Sequence, residues 1–282
     1  MTKIIKVGNI ECGADKLFLI AGPCVVEDEK TMMDTAEFLV GLSEKLDLPL
    51  IFKSSFQKDN RSSSDFYSGP GIEKGLAILQ KIKDQFNVPL ITDIHYPDQI
   101  AAAAEVVDVI QIPAYLVMQT TLVVEAAKTG KVLNLKHAQY LSPENMIKPV
   151  KKAEQAGNFN IMVTERGYAF GYNDLIVDPR SFYHLRSTGY PVIFDVTHSI
   201  RKYGIPSSDP KGGSREFIPT LARAGVAAGI DGLFLEVHPD PAHALCDAAS
   251  QMCIDDVTEF LKPLIDIHNI EVKYRSKNLI TN

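Results

Sequence analysis

Eight runs of continuous hydrophobic residues recur along the chain, and each is followed by a segment whose apolar positions repeat every three to four residues. The runs cover 17–22, 49–55, 88–94, 109–114, 132–137, 159–166, 191–198 and 232–238. The segments after them, at 31–46, 71–86, 97–107, 120–128, 143–155, 179–188, 215–228 and 254–274, have the period of amphipathic helices. Hydrophobicity that is continuous rather than alternating marks strands buried on both faces, hence a parallel sheet. Eight such units in 282 residues predict an α/β fold of the TIM (β/α)8 barrel type, with a doubly wound sheet as the alternative. Two β-branched runs about Gly8-Asn9 predict a hairpin that plugs one end of the barrel. The chain is read as one domain, hairpin at 1–14 and barrel at 15–282. Residues 56–70 and 199–214 exceed ordinary βα loops and are read as functional lids.

Composition narrows the class. A 45% hydrophobic content supports a full core, while a net charge of −6 with no basic run excludes nucleic acid and anionic membrane surfaces as partners. No apolar run approaches the roughly 18 residues of a membrane span, and the first residues lack the apolar core of a signal peptide, so a cytoplasmic protein is expected. Cys12, Cys24, Cys246 and Cys253 show no disulfide spacing, which fits a reducing compartment where each is core filler or a ligand.

The chemistry collects where the hydrophobic runs stop. Their carboxyl ends carry Cys24; Lys53 with Lys58, Asn60 and Arg61; Asp93 and His95; Gln111; Lys136 and His137; Glu165 and Arg166; Asp195 and His198; and Glu236 with His238. In a barrel these positions converge on one mouth. Five cations at one rim of an acidic protein imply a strongly anionic small substrate, since a phosphate monoester alone carries about −1.5 to −2. Cys24, His198, Glu236 and Asp247 have the chemistry of a divalent metal site suited to Fe²⁺, Mn²⁺, Co²⁺ or Zn²⁺, with His238 and His243 competing as ligands. Gly212-Gly213-Ser214, ahead of a helix starting near Arg215, offers a phosphate cradle.

The motifs IAGPCVVE at Ile20, FKSSFQKDNRSS at Phe52, GPGIEKG at Gly69, ITDIH at Ile91, IQIPA at Ile110, ERGYAFGYNDLIVD at Glu165, IFDVTHS at Ile193 and LFLEVHPDP at Leu233 resemble the 3-deoxy-D-manno-octulosonate 8-phosphate synthase family, from Leu17 to about Leu264. The resemblance implies condensation of phosphoenolpyruvate with an aldose phosphate, arabinose 5-phosphate in that family, with release of inorganic phosphate. It also implies a place in lipopolysaccharide biosynthesis and a homotetramer. A Cys in the AGPC position marks the metal-dependent branch, and the resemblance selects Cys24, His198, Glu236 and Asp247 as the ligands. Lys53, Lys58, Lys136 and Arg166 match the phosphoenolpyruvate pocket, lined by Gln111 and Ala114, and Asn60, Arg61 and Ser62 match the aldose phosphate side. Lys58, Lys136 and His198 are the expected catalytic residues, with Asp93 and Arg215 on the substrate.

Departures from the family pattern concentrate on the acceptor half. Pro-Ala-Phe-Leu-x-Arg-Gln-Thr-Asp has become Pro113-Ala114-Tyr115-Leu116-Val117-Met118-Gln119-Thr120-Thr121, so Met118 replaces an Arg that reaches a neighbouring subunit's sugar phosphate. Lys-Lys-Pro-Gln-Phe has become Lys136-His137-Ala138-Gln139-Tyr140. These changes admit a paralogue acting on a hexose 6-phosphate such as mannose 6-phosphate, with His137 or the 211–215 loop taking over the lost contact. A 3-deoxy-arabino-heptulosonate 7-phosphate synthase is a further alternative; its Lys-Pro-Arg motif is here Lys58-Asp59-Asn60-Arg61.

Overall fold

The computed structural model describes residues 2–60, 63–169 and 174–275. Strands β1 (Ile5–Val7) and β2 (Ile10–Cys12) form the expected hairpin, with Val7 opposite Ile10. The chain then passes through β3 (Phe18–Gly22), β4 (Leu50–Lys53), β5 (Leu90–Asp93), β6 (Val109–Ile112), β7 (Val132–Lys136) and β8 (Ile161–Glu165). A two-residue pair, β9 (Tyr168–Ala169) and β10 (Leu175–Ile176), precedes β11 (Val192–Asp195), β12 (Gly232–His238) and β13 (Met252–Cys253). Strands β3 to β8, β11 and β12 pair in parallel in chain order, and β11 pairs with both β8 and β12. The sheet therefore closes on itself as an eight-stranded barrel, with β13 added outside β12.

Every residue of these eight strands is buried, as continuous hydrophobic runs require. Helices α1 (Glu29–Leu46), α2 (Ile72–Phe86), α3 (Ile100–Val106), α4 (Thr120–Lys128), α5 (Ile147–Gln155) and α6 (Pro179–Arg186) separate the strands, and α8 (Ile218–Ala227) and α9 (Val257–Arg275) complete the ring. Between β11 and α8 lies a single turn, α7 (Val196–Ser199). Helix α1 shows why they start where they do: Asp28 accepts the Thr31 N–H at 2.9 Å, satisfying a backbone donor that has no partner inside the helix.

The hairpin packs Ile5, Val7 and Ile10 into the same core as the barrel. It lies at the amino ends of the strands, beside Pro49 and Pro89, and so leaves the carboxyl ends open. At those ends, a Cβ on Gly22 would stand 2.0 Å from the Lys53 carbonyl oxygen. Only glycine lets the chain turn there from β3 into Pro23 and Cys24. No helix among the described residues is long and apolar enough to cross a membrane.

Candidate active site

A cavity of about 790 Å³ opens at the carboxyl ends of the strands. Lys58 from the loop after β4, Lys136 at the end of β7 and Arg166 just past β8 line it together with Asp93, Gln111, Ala114, His198 and Asp247. Both long loops form its walls: Lys58, Asp59, Asn60, Ser63 and Phe66 come from one, Arg201 and Tyr203 to Ser207 from the other.

The cations stand on a buried layer of carboxylates. Lys53 is fully buried, donating to Glu236 and to the Cys24 carbonyl, each at 3.1 Å. Lys58 lies 3.6 Å from Asp93 and 3.9 Å from Glu236. Burial opposes its charge, but Asp93, Cys24 and Glu236 outweigh that and hold its pKa well above the lysine norm. Lys136 is ion-paired with Asp195 and sits over the Phe234 ring, 4.1 Å from its centroid. Burial, together with repulsion from Lys53 and Arg166, pulls Lys136 below the usual lysine value despite Asp195. Arg166 has no carboxylate within 4 Å among the described residues; its guanidinium donates to the Tyr203 hydroxyl at 2.9 Å. Asp195 acts on Arg166 only from beyond ion-pair distance.

His198 links the cation layer to a second cluster. Its Nδ1 lies 2.8 Å from Asp195, and its Nε2 is 3.6 Å from both Glu236 Oε1 and Asp247 Oδ2. Asp247 Oδ2 is also 3.5 Å from Cys24 Sγ. The donor atoms form two groups, His198, Glu236, Asp247 and Cys24, Cys246, Asp247, each within 4.8 Å. Burial and the neighbouring Cys246 and Glu236 push the Cys24 thiol up, so a thiolate here needs a cation beside it. Glu236 Oε2 is buried without a hydrogen-bond partner among the described residues. A soft sulfur, an imidazole and two carboxylates, in two groups that share Asp247, have the donor chemistry of a borderline divalent ion. His238 and His243 lie apart from the cluster: His238 contacts Glu27 at 3.4 Å, and His243, exposed, contacts Asp240 at 2.7 Å.

Several expectations are corrected by the packing. Arg215 does not face the cavity; its guanidinium donates to the carbonyls of Ala248 and, at 3.2 Å, Ala249, where it holds the loop carrying Asp247. Gly212 and Gly213 do not form a phosphate cradle either. A Cβ on Gly212 would stand 2.6 Å from the Pro206 oxygen and one on Gly213 2.5 Å from the Ala249 oxygen, so these glycines permit close chain contact. His137 is buried between Glu165 at 3.0 Å and the Leu141 carbonyl at 2.6 Å, and cannot reach a sugar phosphate. Met118 packs against the core instead of lining its own chain's cavity. Asn60 lies on the cavity wall, while Arg61 and Ser62 lie outside the described residues.

Sequence reasoning passed over Arg201 and Tyr203, and left Cys246 as core filler or a ligand without placing it beside Cys24. Arg201 stands 3.7 Å from Asp247, and Tyr203 meets Tyr115 edge to face at 6.5 Å. Arg201 and Tyr203 sit in a loop with no hydrophobic period, and Cys246 is 222 residues from its partner Cys24, so local pattern could mark none of them.

Residues 2–271 match the model of the DAHP synthetase I family. The chain belongs to that family. It is 50% identical over 265 residues to the 2-dehydro-3-deoxyphosphooctonate aldolase of Trichlorobacter lovleyi, covering 94% of this chain and 97% of that protein. The aldolase of the same name from Geotalea daltonii is 51% identical with the same coverage. That of Geobacter sp. strain M21 is 48% identical over 271 residues, 96% of this chain and 99% of that one. Family membership bears out the resemblance read from the motifs, and near-complete coverage carries it over both the hairpin and the barrel.

Proposed function

We propose that the protein condenses phosphoenolpyruvate with arabinose 5-phosphate, giving 3-deoxy-D-manno-octulosonate 8-phosphate and inorganic phosphate. The single observation that supports this most is the meeting of Lys58, Lys136 and Arg166 with His198 and Asp247 in one cavity. Relatives of about 50% identity named 2-dehydro-3-deoxyphosphooctonate aldolase favour the pentose phosphate over a hexose or tetrose phosphate.

In this reading Arg166 and Lys136 bind the phosphate and carboxylate of the enolpyruvate, against Gln111 and Ala114. Asn60, with Arg61 and Ser62, takes the sugar phosphate, which sets the aldehyde above C3 of the enol. Lys58, firmly charged between Asp93 and Glu236, donates toward the aldehyde oxygen as that oxygen gains negative charge. His198, oriented by Asp195, serves the same end of the cavity. Carbon C3 bonds to the aldehyde carbon and the aldehyde oxygen takes a proton. Water adds at C2, the C2–O bond to phosphate breaks, and the 2-keto group remains. A divalent Fe, Mn, Co or Zn ion held by Cys24, His198, Glu236 and Asp247 would supply Lewis-acid polarisation without redox change. The same reading makes the enzyme a cytoplasmic homotetramer of single-domain subunits, which sizing in solution checks.

Phosphoenolpyruvate labelled with ¹⁸O at the bridging position tests the bond broken. Label recovered in inorganic phosphate is expected; label retained in the sugar product would overturn C–O cleavage.

A further inference from the structure

Cys246 takes no part in the reaction proposed above, yet its environment is built around the metal cluster. Its side chain is 1% exposed and its Sγ lies 2.8 Å from Cys24 Sγ. The next residue, Asp247, reaches Cys24 Sγ at 3.5 Å and His198 Nε2 at 3.6 Å. Side chains of consecutive residues in extended chain point to opposite sides, so two neighbours aimed at one point require a special backbone. Asp247 provides it with φ of 47°, a left-handed conformation costly for a residue with a Cβ.

Other contacts hold that conformation. The Asp247 carbonyl accepts from Ser250 N at 2.9 Å and Gln251 N at 3.2 Å, curling the loop. Arg215 grips the carbonyls of Ala248 and Ala249 from outside. Gln251, fully buried, joins the two cysteine segments directly: its Oε1 accepts from Cys24 N at 3.3 Å and its Nε2 donates to the Cys246 carbonyl at 2.7 Å. A cysteine serving as core filler needs neither the strained neighbour nor the clamp.

Resting on the metal centre proposed above, we infer that Cys246 is a further thiolate ligand, so that the bound ion faces two sulfurs rather than one. Two thiolates shift the preference of the site toward thiophilic ions, Co²⁺, Zn²⁺ and Fe²⁺, and away from Mn²⁺.

The test uses the full chain, stripped of metal and titrated with Co²⁺, following the near-ultraviolet thiolate-to-cobalt absorption. Wild-type protein, Cys246→Ser, Cys24→Ser and the double variant are compared, with affinities from chelator competition. The expected result is a band of about half the wild-type intensity in each single variant and none in the double. Each single change should also weaken affinity at least about 10-fold, the lower range for disturbing a metal site. Full band and unchanged affinity in Cys246→Ser, with complete loss in Cys24→Ser, would overturn the second thiolate while leaving the metal centre standing. Absence of any thiolate band in wild-type protein would overturn both. Sulfur counting by X-ray absorption on zinc-loaded wild-type protein needs no variant to fold: two sulfurs near about 2.3 Å support the inference and one refutes it.

Discussion

The Arg166 guanidinium donates to the Tyr203 hydroxyl at 2.9 Å, joining a barrel strand end to the 199–214 loop across the mouth of the cavity. Burial would raise the Tyr203 phenol, but Arg166 together with hydrogen bonds from Gln139 and Tyr115 outweighs it and holds the group below the usual tyrosine value. Because no carboxylate ion-pairs with Arg166 within 4 Å among the described residues, its charge is available to an anionic substrate. Arg166→Ala is expected to lower kcat/KM for phosphoenolpyruvate by about 10²- to 10³-fold, as for removal of one preorganised donor. Tyr203→Phe leaves the Arg166 charge in place and removes only the hydroxyl that orients it, so it should cost less, about 10-fold. Steady-state kinetics on both variants check the order; normal turnover by Arg166→Ala would contradict its placement on the substrate.

Lys53 and Glu236, both with fully buried side chains, form an ion pair at 3.1 Å beneath the site. Removing one partner leaves a buried charge uncompensated, a loss of about 3–5 kcal/mol. Lys53→Met should lower stability by an amount of that order, and Lys53→Met combined with Glu236→Gln should restore part of it. Urea unfolding of the metal-free proteins measures both, and a neutral single variant would contradict the pairing.

Much of this arrangement was legible in the sequence, for a physical reason. Strands buried on both faces must be hydrophobic throughout, so β12 appears in the sequence with the bounds it has in the fold, Gly232–His238. The run at 191–198 was legible only in part. Its strand stops at Asp195, whose side chain accepts from His198 N at 2.9 Å and starts a one-turn helix within a stretch that looks continuously apolar. The pair β9 and β10 has only two residues per strand, none fully buried, and so leaves no hydrophobic signal. The cations at the strand ends were visible as residue types. Their pairing with Asp93, Asp195 and Glu236 was not, because each pair joins different strands.

Metal removal should abolish turnover, since the donor atoms of His198 and Glu236 on one side and Cys24 on the other meet at Asp247, which both groups share. Mn²⁺, Co²⁺ or Fe²⁺ should restore it. Cys24→Asn should bind metal more weakly and retain partial, metal-independent activity. Full turnover in excess chelator, after demonstrated metal loss, would contradict this assignment.

Away from the site, His268 is 1% exposed, and its Nε2 lies 3.1 Å from the Asp15 carbonyl oxygen. Burial holds its pKa below the normal histidine value, so the fold favours the neutral ring. A depressed histidine stabilises the fold fully above its unfolded pKa of about 6.5 and loses that stability as pH falls toward the folded value. Urea midpoints should therefore drop between pH 7 and pH 5, with a shallower drop in His268→Gln. Parallel profiles for the two proteins would contradict a neutral buried His268.

The most direct measurement is inorganic phosphate release from phosphoenolpyruvate with arabinose 5-phosphate, mannose 6-phosphate and erythrose 4-phosphate offered separately. Release matched mole for mole by product is expected with the pentose, at a kcat/KM at least about 10-fold above the other two, the discrimination one carbon commonly provides. Preference for the hexose or tetrose phosphate, or no phosphate with any acceptor in metal-loaded protein, would contradict the assigned reaction.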